Sequence, residues 1–113
     1  MGKNGALIVD REMRTSLPDV YAAGDCILVY NEVLEEDSFL ALGTVANKCG
    51  RIAGANLAGG HEQFLGALGS AAIKVCGLEL GRTGMGEADA KRLGRDYKTL
   101  VIEANDHPAY YPN

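Results

Sequence analysis

The stretch from Leu42 to Ala58 is the strongest constraint on the fold of this chain, because its apolar residues follow one clear period. Val45, Cys49, Ile52, Ala53 and Leu57 recur at steps of three and four, the spacing of one face of an α-helix. Ala46, Gly50, Gly54 and Ala58 lie four apart on a neighbouring ridge. Glycine inside a helix costs about 1 kcal/mol relative to alanine. The pattern therefore predicts another element packed closely on that ridge. Gly59-Gly60 supplies the stop expected of a helix C-terminus.

The flanking sequence reads as short β-strands and turns. Lys3-Asn4-Gly5 is a turn signal, and Ala6-Leu7-Ile8-Val9 a short strand. Asp10 to Ser16 is polar and reads as loop, and Leu17-Pro18-Asp19 as a turn. Val20 to Gly24 reads as the next strand, ending in small residues. Residues 26–38 read as loop with local apolar contacts, with Glu35-Glu36-Asp37 solvated. A boundary is expected between residues 60 and 66. Beyond it, Ser70 to Cys76 and Leu78 to Thr83 read as two strands paired through Gly77. Gly86 to Gly94 reads as a helix whose Glu87 and Asp89 come early and Lys91 and Arg92 late, as the helix dipole prefers. Tyr97 to Ala104, β-branched at its centre, reads as a further strand. The expected class is α/β passing into α+β.

Composition excludes several functions. The 113 residues carry a net charge of −4 with no Lys/Arg run, which excludes a nucleic-acid partner. No apolar stretch approaches the ~20 residues that span a membrane. Cys26, Cys49 and Cys76 form no Cys-x-x-Cys pair and no metal spacing with His61 or His107. All three read as small buried hydrophobes. An odd cysteine count without a signal peptide points to a reducing cytoplasm.

Asp25 follows Gly24 just past the end of an expected strand, where open α/β sheets place ligand contacts. A carboxylate there can accept hydrogen bonds from sugar-like hydroxyls. Taken alone, Ala22-Ala23-Gly24-Asp25 is equally a strand end, a turn and a helix cap.

The longer context favours a cofactor. Thr15-Ser16-Leu17-Pro18-Asp19-Val20-Tyr21-Ala22-Ala23-Gly24-Asp25 resembles the second FAD-binding motif of the pyridine nucleotide-disulfide oxidoreductases. Leu42-Gly43-Thr44-Val45-Ala46, continuing to Gly54, follows at that family's distance. Phe64 to Ser70, Arg82-Thr83-Gly84 and His107-Pro108-Ala109-Tyr110-Tyr111-Pro112 follow in order, so the resemblance spans essentially the whole chain. The combination is most similar to the branch holding coenzyme A-disulfide reductase, NADH oxidase and NADH peroxidase.

The resemblance implies the C-terminal part of an FAD-binding domain over residues 1–62, and the N-terminal half of a dimerisation domain over 63–113. It implies FAD and NAD(P)H as cofactors of the full-length family. Gly24 and Asp25 would contact FAD, with Asp25 on the ribityl chain. Leu42, Gly43, Thr44 and Ala46 would face the flavin, mainly through backbone, where a helix N-terminus stabilises negative charge. Thr44 read structurally is simply the N-cap. Tyr110 or Tyr111, with Tyr111 preferred, would reach across a dimer to the partner's thiol, since a phenol can donate to a thiolate. Read structurally, one of these rings packs and the other is exposed.

Two departures from the family pattern matter. No Gly-x-Gly-x-x-Gly follows an expected strand, and Gly81-x-x-Gly84-x-Gly86 has the wrong order. The family's redox cysteine has no counterpart. The expectation is that this chain alone holds no FAD or NAD(P)H, binds no metal and does not turn over. Half a dimerisation domain would expose strand edges and an apolar face, so the expected partner is a second copy, in a dimer or a strand-swapped oligomer. Two readings stay open: a segment of an FAD-dependent NAD(P)H oxidoreductase of NADH oxidase or CoA-disulfide reductase type, or a stand-alone oligomerisation or binding module.

Overall fold

Two sheets and two helices form along the chain in the computed structural model, which describes residues 1–104 and 110. The first sheet is ordered β1 (Leu7–Ile8), β2 (Ile27–Asn31), β3 (Glu36–Ser38). β2 runs parallel to β1, with Leu7 opposite Ile27, and antiparallel to β3, with Tyr30 opposite Asp37. Helix α1 (Gly43–Leu57) follows. β4 (Ala71–Val75) and β5 (Leu78–Arg82) then form an antiparallel hairpin, and α2 (Glu87–Arg92) comes last. This mixed architecture is the expected α/β to α+β class.

The β2–β3 hairpin corrects the expectation of a loop over 26–38. Ile27-Leu28-Val29-Tyr30 is a β-branched and aromatic run that suits a half-buried strand. Asn31 then starts the turn: its Oδ1 accepts the N–H groups of Val33 at 2.9 Å and Leu34 at 3.1 Å. The acidic run after it masks the strand that returns. Val20 to Gly24, in contrast, forms no regular strand. Its ladder is one isolated antiparallel bridge, Arg14 to Tyr21, across the Leu17–Val20 turn. The turn has Asp19 at φ 61°, and Gly24 at φ 97° bends the chain away soon after Tyr21.

One core joins these pieces: Met13, Ile27, Val29, Val45, Cys49, Ala53 and Phe64. Val45, Cys49 and Ala53 are the buried stripe that the helical period predicts, whereas Leu57 is exposed. Met13 enters from the polar loop at φ 67°, a burial that no period announces. The end of α1 is the expected glycine stop. Gly59 takes φ 92°, its N–H reaches the carbonyl of Asn56, and that of Gly60 reaches Ala55 at 2.9 Å.

The segment after α1 is stitched back onto this core. Arg11 Nη1 donates to the carbonyls of Phe64 at 3.0 Å and Leu65 at 2.7 Å, and its guanidinium lies 3.8 Å over the Tyr30 ring. The N–H of Phe64 returns to the carbonyl of Arg11. Ala67 then bridges in parallel to Asn31 at the end of β2.

The small-residue ridge of α1 is not covered at its two glycines by any described residue. Gly50 and Gly54 are exposed, and a Cβ at either would meet nothing within 4 Å. Close packing within this chain therefore does not offset their helix cost. Gly50→Ala and Gly54→Ala are expected to raise the stability of this chain, each by up to about 1 kcal/mol, measured by urea unfolding. Destabilisation by either would mean that the ridge is covered in solution.

β4 and β5 carry an apolar face that nothing among the described residues covers. The register sets Ile73 opposite Leu80 and Val75 opposite Leu78, so four apolar side chains share one face. Lys74 and Glu79 pair on the other at 2.7 Å. All four apolar residues are more than half exposed. Tyr97 to Ala104 forms no strand, correcting the expected third member of this sheet. β-propensity reflects packing against neighbours, and Leu100, Val101 and Ile102 stand exposed, with no strand beside them among the described residues. Cys76 sits in the hairpin turn at φ 54° and is exposed, as is Cys26, so of the cysteines only Cys49 is the buried hydrophobe expected. The radius of gyration, 17.7 Å, exceeds the about 13 Å of a compact chain this long.

Candidate functional site

Gly24-Asp25-Cys26 forms a turn directly before β2, whose pairing with β1 begins as the N–H of Leu7 reaches the carbonyl of Cys26 at 2.8 Å. Gly24 has the positive φ that glycine tolerates best, and a Cβ there would meet nothing within 4 Å. Asp25 is exposed, and among the described residues its carboxylate makes no hydrogen bond or ion pair. It therefore lies just before a strand, where the sequence placed it just after one. Its acceptor capacity is free for a ligand.

The start of α1 is the second part. Leu42 is the N-cap, with extended backbone (φ −131°, ψ 128°) and no side-chain cap. This corrects the structural reading of Thr44, which sits one position inside the helix after Gly43. The carbonyl of Leu42 accepts the N–H of Ala46 at 2.9 Å. No acidic residue occupies the first turn. The N–H groups of Gly43, Thr44 and Val45 precede the first intrahelical bond, so their partial positive charge is not offset by the helix's own side chains.

The two parts meet on one core. Ala22, Ala23 and Leu42 all pack against the cluster that contains Ile27, Val45 and Cys49. Residues shortly before Asp25 and the residue at the uncapped start of α1, far apart in sequence, thus pack on one cluster. The open cleft nearby, about 570 Å³ and mainly apolar, lies between β1 and the Arg14–Tyr21 loop and is lined by Leu7, Ile8, Leu17, Val20 and Tyr21. Sequence reasoning missed that cleft, because β1 and the loop meet only through the tertiary fold.

Cys26 adjoins Asp25 and Cys49 lies in the shared core, but neither thiol is placed for chemistry in this arrangement. Burial pushes the Cys49 thiol up from its ordinary value, which suits packing and not nucleophilic chemistry. Among the described residues, no group of three or more His, Cys, Asp or Glu comes together in a way that could hold a metal. Tyr110 is 82% exposed. Tyr111 and His107 lie outside the described residues.

Comparison with known proteins points to one family. Residues 1–60 match the family model described as pyridine nucleotide-disulphide oxidoreductase. An NADH oxidase of Streptococcus pneumoniae is 43% identical over 105 residues, 92% of this chain and 22% of that protein. The structure of an NAD-dependent persulfide reductase from A. fulgidus superposes with a TM-score of 0.88 at 38% identity, covering 99% of this chain and 21% of that one. An FAD-dependent pyridine nucleotide-disulphide oxidoreductase from Desulfovibrio vulgaris superposes with a TM-score of 0.74 at 42% identity, covering 83% and 24%. The chain spans at most about a quarter of the length of the curated relatives it matches. The motif at residues 15–25, the helix that follows it and the match over residues 1–60 together make this chain a member of the pyridine nucleotide-disulphide oxidoreductase family.

Proposed function

We propose that this chain supplies the second FAD contact and the flavin-facing helix of an FAD-dependent NAD(P)H oxidoreductase of the NADH oxidase or CoA-disulfide reductase type. The observation that carries the reading is an unengaged, exposed Asp25 and an uncapped start of α1 whose flanking residues Ala22, Ala23 and Leu42 pack on one core. These residues fit the cofactor. Asp25 accepts hydrogen bonds from the ribityl hydroxyls, and Gly24 leaves room for close approach. Leu42, Gly43, Thr44 and Ala46 would set the positive end of α1 against negative charge on the flavin through the free N–H groups of Gly43, Thr44 and the neighbouring Val45, since those of Leu42 and Ala46 are held by the carbonyls of Leu40 and Leu42. FAD supplies, when bound, electron transfer between NAD(P)H and a sulfur or dioxygen acceptor.

In a full-length enzyme carrying these residues, Asp25→Ala is expected to weaken FAD retention about 10- to 100-fold, the loss of a charge-assisted hydrogen bond. Flavin absorbance after desalting measures it; unchanged retention would remove Asp25 from the site. The present chain mixed with FAD is expected to retain no stoichiometric flavin and to consume no NAD(P)H. Retention with turnover would overturn that expectation.

A second reading, a stand-alone oligomerisation module, is supported by the uncovered apolar face of β4 and β5. Residues 63–113 serve assembly in either reading, and Tyr110 and Tyr111 then act across the dimer. Self-association in sedimentation supports it, and a stable monomer at high concentration counts against it. No described helix is long and apolar enough to cross a membrane. The free cysteines are consistent with placing the protein in a reducing cytoplasm.

A further inference from the structure

The turn of the β2–β3 hairpin faces α2 across a gap, and charge spans it. Arg92 Nη2 donates to Glu36 Oε1 at 2.6 Å, and Arg92 Nη1 to Glu36 Oε2 at 3.2 Å, the two-pronged geometry of a strong guanidinium–carboxylate pair. Arg92 also holds Asp89, one turn back on its own helix, at 3.2 Å. Arg95, just past α2, donates to Glu35 at 3.2 Å. Glu35 is fixed at φ 58° in the hairpin turn, with its N–H bonded to the carbonyl of Asn31. The acidic pair that the sequence presents as solvated is therefore aimed at two arginines about sixty positions later.

Little else joins these parts. Ala67 bridges to β2, and the N–H of Gly84 reaches the carbonyl of Leu68 at 3.2 Å, so the connecting chain is anchored at its root. No residue of β4, β5 or α2 belongs to the core cluster of the first sheet or packs against it. In place of an apolar interface there is a cleft of about 320 Å³, lined by Asn31, Glu36, Asp37, Arg82, Asp89 and Arg92 among others. The pairs are exposed, so each is individually weak and is screened by salt.

We propose that the Glu36–Arg92 and Glu35–Arg95 pairs form an ionic latch that fixes the direction of α2 relative to the first sheet and opens as ionic strength rises. This goes beyond the proposed function and does not depend on it. A packed apolar interface resists salt, whereas two solvent-facing ion pairs across a polar cleft do not. Release leaves both parts folded, since neither draws its internal hydrogen bonds from the other. It changes only where α2 points.

The test measures one distance across the latch. Cys26, exposed beside β2, and a cysteine placed by Lys91→Cys on the exposed side of α2 take nitroxide labels, with Cys76→Ser and with Cys49 shielded by burial. Labelled chain is diluted in unlabelled chain and read by pulsed dipolar spectroscopy. From ~0.1 M to about 1 M NaCl the screening length falls from about 10 Å to about 3 Å. The expected result is a narrow distribution at low salt that broadens and moves outward at high salt, with unchanged circular dichroism. Glu36→Arg is expected to be broad at all salt, and adding Arg92→Glu to restore the narrow, salt-sensitive distribution. A distribution that stays narrow and unshifted in high salt overturns the latch, as does one already broad in low salt. Failure of the charge swap to restore the narrow state, in a variant of native circular dichroism, overturns it too. The salt titration stands without either substitution should one of them fail to fold.

Discussion

Phe64→Ala is expected to destabilise the first sheet and α1 by about 3–5 kcal/mol, the cost of removing a buried aromatic ring and leaving a cavity. Phe64 is 3% exposed and shares the core with Met13, Ile27, Val29, Val45, Cys49 and Ala53. Several of those partners are small, so the ring supplies much of the core's volume. Its backbone is fixed independently of the ring, by the exchange of hydrogen bonds with Arg11, so the cavity cannot close by a simple shift of the chain. Urea unfolding followed by circular dichroism measures the loss. Phe64→Leu, which keeps most of the volume, is expected to cost less than about 1.5 kcal/mol. Equal effects from both substitutions would show that ring volume is not what holds this core.

The second large effect is expected at Asn56. This side chain is 6% exposed. It lies on the buried side of α1, and its side-chain hydrogen bonds run to backbone groups. Its Nδ2 donates to the carbonyls of Glu12 and Glu62, both at 2.9 Å, and its Oδ1 accepts the N–H of Glu62 at 2.7 Å. One amide thus ties the Met13 loop, the end of α1 and the segment leading to Phe64. Asn56→Leu keeps the size and strands those backbone groups. The expected loss is about 2–4 kcal/mol, since each buried group left unpaired costs roughly 1–3 kcal/mol and water reaches part of this one.

Asn56→Asp separates geometry from charge. It keeps the acceptor for Glu62 N–H but turns a carboxylate toward two carbonyl oxygens. Repulsion from these raises the folded-state pKa of the new acid above its unfolded value. Relative to wild type, stability is therefore greatest below the unfolded value of about 4 and is lost as pH rises through the raised one. The deficit of this variant should be large at neutral pH and shrink in acid. A deficit independent of pH would mean that the carboxylate is relieved by water.

The helix over 43–57 was legible because its apolar period survives intact, and its end because two glycines can do what Ala58 cannot. The β4–β5 hairpin was legible for the same local reason, alternation around a Gly turn. The strand at 27–31 was not. It is fully buried on one face and partly on the other, so its residues do not alternate in polarity, and the acidic run that follows looks solvated until the arginines of α2 and its flank are in place. Tyr97 to Ala104 fails in the other direction. Its residues favour a strand, but a strand needs neighbours, and among the described residues it has none. Burial of Met13 left no trace in the sequence, since it sits outside any apolar stripe; Asn56 stands in register with the buried face of α1, where its polarity hides it from an apolar period.

By itself, then, the sequence determined what depends on short range: the long helix and its glycine stop, the hairpin, the small motif at Gly24 and Asp25, and the family to which the pattern belongs. Only the tertiary structure decided that the glycines of the α1 ridge meet no described residue, that Asp25 stands before a strand with its carboxylate free, and that Glu35 and Glu36 meet arginines about sixty residues away. The physical reason is that periodicity and turn chemistry are carried by adjacent residues, while burial and charge pairing depend on which distant segments the fold brings together.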